Sequence, residues 1–590
     1  MAQPKLASLL FDKSNTAQTL EKIEKKRDAA FHEFKFSEQE LLGYTINVNT
    51  ARIRVHINHL KQLSHTAVGK LVMIEIATQE WIVGRVEAIE ANDINPKEIQ
   101  YYLGIGFIGS FKIDLEKLSC KFSRAVNASA NIGSQVYALI GSNLSFFMGG
   151  ISQGNDPADL TLGQYHLDEG VTAYINGNKL FQRHMALVGN SGCGKSWTVA
   201  TLLEQMSKFP NANLVVFDIH GEYHTLKYAK QLRMAAPGDS ESADDNVLFW
   251  PMWFLSFEEM LTILLDESDP DASNQAMILN NLFRQQKLNF LKSSNRNELL
   301  NSFTVDSPIP FSMQVTLKKM IDVNKELVEG ITQGEVVKGP FYGRFDRLIP
   351  RLESIMADKR YNFMFQGPEK VYNFNYINQV MKQLMGTGIK DGVNNGIKIL
   401  DLSMVPSDMI PVIIGALGRF LFQAQFWNTQ ENRHPITLIC DESHLYLPVD
   451  SACNTAQKNT VKHFGRIAKE GRKYGITLAI VTQRPSDVNT GILSQCGNIM
   501  TLGLTNTVDQ EITKKLMPDG MSGLIEELPL MGVGEVIVIG DSVNLPMKIK
   551  VSPPSHKPAS DTLDCCTEWS LSDVKKDINL GIENMRKQSR

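Results

Sequence analysis

At 590 residues, 43% of them hydrophobic and 21% charged, the chain is longer than one hydrophobic core organises and has a globular composition, which excludes a disordered or repeat architecture and predicts two or more domains. A net charge of −4 excludes a protein that coats nucleic acid through overall positive charge, leaving room for a local basic lining. With no run of about 18 apolar residues and no charged, apolar leader, the expectation is a cytoplasmic protein that does not engage a membrane.

Residues 17–36 place Leu20, Ile23, Phe31 and Phe34 at helical spacing among Lys and Glu, which predicts an amphipathic helix within an extension over 1–36. From Gly43 to Ile140 the pattern turns to short β-rich runs, TARIRVHI, KLVMIEIA, EWIVGRVEAI, YYLGIGFIG and SQVYALI, predicting a small barrel or sandwich over 37–150. Apolar strands then alternate with helices: HMALVG, NLVVFDI, IKILDL, ITLICD, ITLAIVTQ and NIMTLGL. That alternation is the pattern of an α/β core with a parallel-rich sheet, expected over 151–249 and again over 391–552.

Between those halves, LSFEEMLTILL, NQAMILNNLFRQQKL and FDRLIPRLESIM carry apolar residues at i, i+3, i+4 and i+7, predicting a helical insertion over 250–390. GEVIVIGD and PMKIKV read as two closing strands, and PPSHKP opens a linker and C-terminal helix over 553–590, with Val574, Ile578 and Met585 on one face. The seven cysteines are odd in number, scattered, and never in CxxC spacing. They read as reduced thiols rather than zinc ligands or disulfides.

The chemistry concentrates at Gly189, Asn190, Ser191, Gly192, Cys193, Gly194, Lys195 and Ser196, a GxxxxGK[ST] match between the strand MALV and a helix that starts at Trp197. The glycines let backbone amides converge on phosphate oxygens, and the helix N-terminus adds positive potential. Lys195 reaches the β and γ phosphates, while Ser196 ligates Mg2+. These residues and Trp197 are the expected nucleotide-binding set, for a nucleoside triphosphate with Mg2+. Without those flanks the motif would be an ordinary strand-to-helix turn, and Cys193 is a small spacer within it.

ITLICDESHLYL delivers Asp441 and Glu442 at a strand's carboxyl end, where α/β sheets present ligand groups. Asp441 is the second metal residue, and Glu442 ranks first as the group that polarises the attacking water. Asp218 and Glu222 of NLVVFDIHGEY compete for that role. HGEYH is not HExxH, so His220 and His224 read as hydrogen-bonding rather than metal-binding. Gln483 ends the strand ITLAIVTQ and, by chain order, would sit beside Asp441 to sense a γ-phosphate or position water. In VKHFGRIAKEGRKYG, Lys462, Arg466, Lys469 and Lys473 form a basic stripe that reads better as a solvated helix face than as a functional one. Arg472 is set apart as a residue able to reach ATP on a neighbouring copy, chemistry that needs a head-to-tail ring.

The ordered run RHMALVGNSGCGKS, VVFDIHGEY, WFLSFEEMLTIL, IKILDLSMVP, ITLICDESHLYL, GRIAKEGRKYGITLAIVTQRPSDV and LSQCGNIMTLGLTN resembles the HerA family, a branch of the ATPases related to FtsK. The resemblance spans most of the chain. It implies an N-terminal HAS-type barrel, a RecA-like P-loop NTPase core with a helical insertion, ATP as the nucleotide, a homohexamer, and duplex DNA driven through the central pore by ATP hydrolysis. It also implies that Arg472 is a trans-acting finger, Gln483 a sensor, and Arg183 a further nucleotide-contacting arginine. The family implies a nuclease or sirtuin-like NADase partner, in antiviral defence or DNA-end processing. A secretion or conjugation ATPase and a nucleotide-bound ring scaffold are the competing readings. Cys193 stands where serine is more usual, and the tail after Pro553 matches no family pattern.

Overall fold

The computed structural model describes residues 34–588 apart from 50–51, 58–59, 96–97, 117–118, 125–128, 152–157, 167–169, 240, 330–335, 518–524, 561–563 and 571–577. The chain divides into two compact units: Met1–Leu180 with Met521–Glu527 and Glu535–Ser552, and Phe181–Gly520 with Leu528–Gly534 and Pro553–Arg590.

In the first unit, strands β1 (Leu41–Val48), β2 (Arg52–Ile57), β3 (Leu71–Ala77), β4 (Glu80–Asn95), β5 (Glu98–Asp114), β6 (Ser119–Ser123) and β7 (Gln135–Ala138) run in the order β2-β1-β7-β3-β4-β5-β6. A further β2–β5 pairing, Arg52↔Gly106 to Ile57↔Tyr101, closes six of them into a barrel and decides between the two architectures expected. Closure is achieved by the length of β5, whose first half pairs with β2 and whose second half pairs with β6. Every second residue points inward, so Ile53, Val55, Ile57, Val72, Ile74, Leu103 and Ile105 share one core. Helix α1 (Gly141–Ile151) follows, then an antiparallel hairpin of β8 (Asp159–Tyr165) and β9 (Thr172–Asn176). The expected closing strands, Glu535–Gly540 and Met547–Val551, form a second hairpin that pairs with β8. The helix expected over 17–36 falls outside the described residues except for Phe34 to Phe36, which are coil.

The second unit is built on eight parallel strands: β10 (His184–Val188), β11 (Leu214–Asp218), β12 (Ala229–Met234), β13 (Val247–Leu248), β17 (Val393–Asp401), β18 (Ile436–Cys440), β19 (Ile476–Thr482) and β20 (Cys496–Thr501). Their order is β13-β12-β17-β11-β18-β19-β10-β20. Strands β10, β11, β18 and β19 are buried at every position, because helices cover both faces of a parallel sheet, and this is why they read as unbroken apolar runs. Two helices belong to this framework: α2 (Lys195–Ser207) leads from β10 and, after the insertion, α8 (Ile410–Trp427) leads from β17.

Between β13 and β17 lie helices α3 (Phe257–Leu264), α4 (Ala272–Ser293), α5 (Met313–Asn324), α6 (Leu348–Ala357) and α7 (Tyr376–Met385). They are joined by a small hairpin of β14 (Leu327–Glu329) and β15 (Val336–Lys338), and β16 (Ile389–Lys390) folds back on β17. The insertion is therefore helical with one short hairpin that the sequence did not signal. Helix α9 (Thr455–Glu470) precedes β19, α10 (Thr507–Leu516) follows β20, and α11 (Ile578–Lys587) lies near the C-terminus with Ile578 and Met585 exposed. Val574, expected on that face, lies outside the described residues.

Helix α8 is long and apolar enough to cross a membrane, yet 78% of it is buried inside this unit, which makes it a core helix. Arg419 on α8 donates to both oxygens of Glu259 on α3, at 2.8 and 2.7 Å, and His463 on α9 lies 3.2 Å from the same carboxylate. Burial pushes the Glu259 carboxyl up, but the contacts with His463 and Arg419 outweigh it and hold the group at about 2. This buried triad ties the insertion to the sheet's helices.

Candidate active site

Strands β11, β18, β19 and β10 are consecutive in the sheet, so the loops after them share one edge. At that edge lie Asp218, the last residue of β11, then Asp441 and Glu442, then Gln483, then the glycine-rich run from Gly189. Strand order reverses at β10, which is flanked by β19 and β20. In open α/β sheets ligands bind at such a switch point.

The loop after β10 is held in a cradle shape. Gly192 (φ 74°) and Gly194 (φ 106°) adopt left-handed conformations that side-chain-bearing residues reach at a cost. A Cβ on Gly189 would lie 2.7 Å from Cys193 Sγ and 2.8 Å from Leu502 Cβ, so only glycine fits there. The Asn190 amide donates to Gly503 O (2.9 Å) and its side chain to Thr505 Oγ1 (2.9 Å), pinning the loop to the segment after β20. Cys193 O accepts from Gly534 N (2.9 Å). Burial pushes the Cys193 thiol up, away from the reactive thiolate, in keeping with a small spacer. Lys195 is buried and donates to Asn190 O across the cradle (3.0 Å).

Four carboxylates, Asp218, Glu222, Asp441 and Glu442, cluster at this edge, and Glu222 touches the loop. Ser196 Oγ donates to Glu222 Oε2 at 2.7 Å. Glu222 is set in place by Asp218, whose two oxygens accept from the backbone amides of Gly221 (2.8 Å), Glu222 (3.0 Å) and Tyr223 (2.9 Å). Asp218, expected among the catalytic acids, is thus committed to building a turn, and the acid that turn delivers to Ser196 is Glu222. Asp441 is buried, and burial first, then the charges of Glu442, Asp218 and Glu222, push its carboxyl up to about 8. Burial likewise raises Asp218 to about 6.

Glu442 has a left-handed backbone (φ 44°), a strained state for a residue with a side chain, of the kind that clusters at active sites. Its Oε2 accepts from Gln483 Nε2 (3.3 Å) and lies 3.3 Å from His444 Nδ1. The adjacency of the Asp441 and Gln483 strands, inferred from chain order, is realised by the β18–β19 pairing. No sequence motif marks His444. It follows the acid pair by two positions, and only its contact with Glu442 and Thr482 (3.3 Å) reveals it.

A Mg2+ nucleotide fits this donor set. A buried lysine spans the loop, a serine hydroxyl adjoins it, and crowded carboxylates hold a proton where a cation would relieve their repulsion. Mg2+ keeps waters and takes phosphate oxygens beside one or two protein ligands.

Arg472 and Arg183 lie elsewhere. Arg472 is exposed in the turn before β19, and that strand's seven residues put it roughly 20 Å along the sheet from the phosphate loop. Arg183 directly precedes β10, with its side chain running across Gly497 at the start of β20. It is not at this chain's phosphate loop. His184 links the same edge: its Nε2 bonds Ala468 O and its Nδ1 accepts from Leu478 N, both at 2.9 Å. Burial, aided by the charge of Arg472, lowers its pKa to about 4. The basic stripe is partly absorbed within the chain, with Lys462 paired to Glu258 (2.9 Å), Arg466 to Glu470 (3.3 Å), and Arg466 stacked on Phe422.

The family model "Helicase HerA, central domain" matches residues 160–421. The chain is 27% identical over 398 residues to "DNA double-strand break repair helicase HerA" of Sulfurisphaera tokodaii, covering 66% of this chain and 68% of that one. It is 26% identical over 411 residues to the protein of the same name from Sulfolobus acidocaldarius, covering 68% and 71%. Among solved structures, VirB4 of Thermoanaerobacter pseudethanolicus aligns with a TM-score of 0.44 at 14% identity over 68% of this chain and 98% of that one. With its phosphate loop and acid pair at the switch point of a parallel sheet, and with these relatives along two-thirds of its length, the chain is a P-loop ATPase similar to the HerA helicases.

Proposed function

We propose that this chain is one copy of a homohexameric, ATP-driven motor that moves duplex DNA through its ring. Lys195 and the loop amides from Gly189 to Ser196 bind the triphosphate, with Trp197 at the first turn of α2. Ser196 and Asp441 hold Mg2+, which when bound offsets negative charge on the phosphates. Glu442 polarises the attacking water, held in orientation by Gln483 and His444. Asp218 positions the Glu222 turn beside Ser196.

The observation that carries the ring is the separation of the two edges. The acids and phosphate loop sit at the carboxyl ends of the strands, while Arg472 and Arg183 sit at the amino ends. Neither arginine reaches its own chain's site, which supports a head-to-tail contact with an adjoining copy of the kind that closes rings. Removing a trans arginine costs about 10³ to 10⁵ in rate where such fingers act.

Arg472→Ala tests this. It should bind ATP as the parent does and turn over far more slowly. Mixing it with Lys195→Ala copies should restore activity, because each defective copy supplies what the other lacks. Normal turnover by Arg472→Ala alone would refute the assignment. DNA as the track is supported by the names of the relatives, and ATPase stimulation by duplex DNA that fades with rising salt is its test. A nuclease or sirtuin-like NADase partner, in antiviral defence or end processing, rests on the family resemblance, and a cytoplasmic setting on the sequence's lack of a long apolar run.

A further inference from the structure

The segment after the last strand, Pro553 to Ala559, matched no pattern, yet it lies in an ordered path within the second unit. Ser555 N donates to Glu204 Oε2 (2.8 Å), the His556 ring meets Tyr228 edge-on at 5.5 Å, and Lys557 Nζ stands 5.4 Å from the centre of the Trp197 ring. Tyr228 in turn donates to Ala200 O (3.2 Å). Positions 204, 200 and 197 lie along one face of α2, so the segment runs down that helix from its C-terminal part toward the phosphate loop. It ends on the turn that presents Glu222: Thr225 Oγ1 donates to Lys557 O (2.6 Å), and Ala559 N donates to Glu222 O (2.7 Å). Pro554 and Pro558 are buried, whereas Lys557 is exposed and Trp197 half-buried. Two buried prolines with fixed φ make this a stiff strap rather than a loose tail.

We propose that Trp197 and the strap Pro553–Ala559 form the nucleoside subsite of the ATP site, taking the purine base and ribose. The proposal rests on the ATP reading above. Trp197 directly follows Ser196, so its indole stands where a nucleotide leaves the phosphate loop, and a half-buried aromatic face is the surface on which a base stacks. Lys557 lies against the indole in a cation–π contact. Because the strap also holds the backbone of Glu222, occupancy by the base and the setting of the Ser196–Glu222 pair share one stretch of chain.

The experiment compares binding of Mg2+-ATP with binding of inorganic tripolyphosphate, each measured by displacement of a fluorescent ATP analogue from the full-length protein. Trp197→Ala should lose about tenfold or more in ATP affinity, the weight of one stacked base, and keep its tripolyphosphate affinity. Trp197→Phe should restore most of the loss. Lys557→Ala, at an exposed position that leaves the fold intact, should lower the ATP-to-tripolyphosphate preference in the same direction by a smaller factor. An unchanged preference in Trp197→Ala and Lys557→Ala overturns the subsite, whether both affinities stay or fall together. If the parent protein binds neither ATP nor tripolyphosphate, the ATP reading fails and the subsite with it.

Discussion

Replacing Asp441 by Asn should make the nucleotide-free protein more stable while disabling it. The Asp441 carboxyl is buried and, among three neighbouring carboxylates, is pushed from the ordinary value of 3.8 to about 8. The folded state therefore retains a proton that the unfolded chain releases above about pH 4, and stability falls as pH rises from about 4 to about 8. At pH 7 the linked cost is at most about 4 kcal/mol, from roughly three units at 1.36 kcal/mol each. An asparagine of the same shape still accepts the Glu442 amide (3.0 Å) and carries no such cost, so the gain should lie between about 1 and 4 kcal/mol. Thermal unfolding of parent and variant from pH 5 to 8.5 measures it. The variant's advantage should widen with pH and level off above about 8, whereas the stabilisation by Mg2+-ATP should shrink. Parallel pH profiles, or a variant less stable at pH 7.5, would refute the trapped proton.

Three further outcomes follow from the same geometry. Glu442→Gly should relieve the left-handed strain at φ 44°, raising stability by about 1 kcal/mol while abolishing ATP turnover, as thermal unfolding and a phosphate-release assay would register. Glu259→Gln leaves Arg419 buried without its counter-charge and should cost about 3–5 kcal/mol in denaturant unfolding. In the parent protein that carboxyl sits at about 2, so its contribution is complete above about pH 4.5 and is lost as pH falls toward 2. Cys193→Ser should leave nucleotide affinity within about twofold, whereas Gly189→Ala, whose methyl meets Cys193 Sγ at 2.7 Å, should abolish nucleotide binding. Titration with an ATP analogue separates the two.

The strands of the core were legible because a strand covered on both faces must be apolar throughout, as HMALV and ITLAIVT are. The site was legible for a related reason. Parallel strands linked by helices all point one way, so the residues that follow them, from Asp218 to Gln483, arrive at one edge. Arg472 stood out by its place near a helix end, and family resemblance supplied the expected role of Arg183, which no periodicity marks.

Tertiary structure alone decided the rest, because pairing between distant segments leaves no local period in a sequence. The β2–β5 contact that closes the barrel, the commitment of Asp218 to three backbone amides, and the edge on which Arg183 lies are of this kind. So is the strap: read alone, PPSHKP is only a chain that can be neither helix nor inner strand, and its meaning appears when Lys557 comes to rest beside Trp197, 360 residues earlier in the chain.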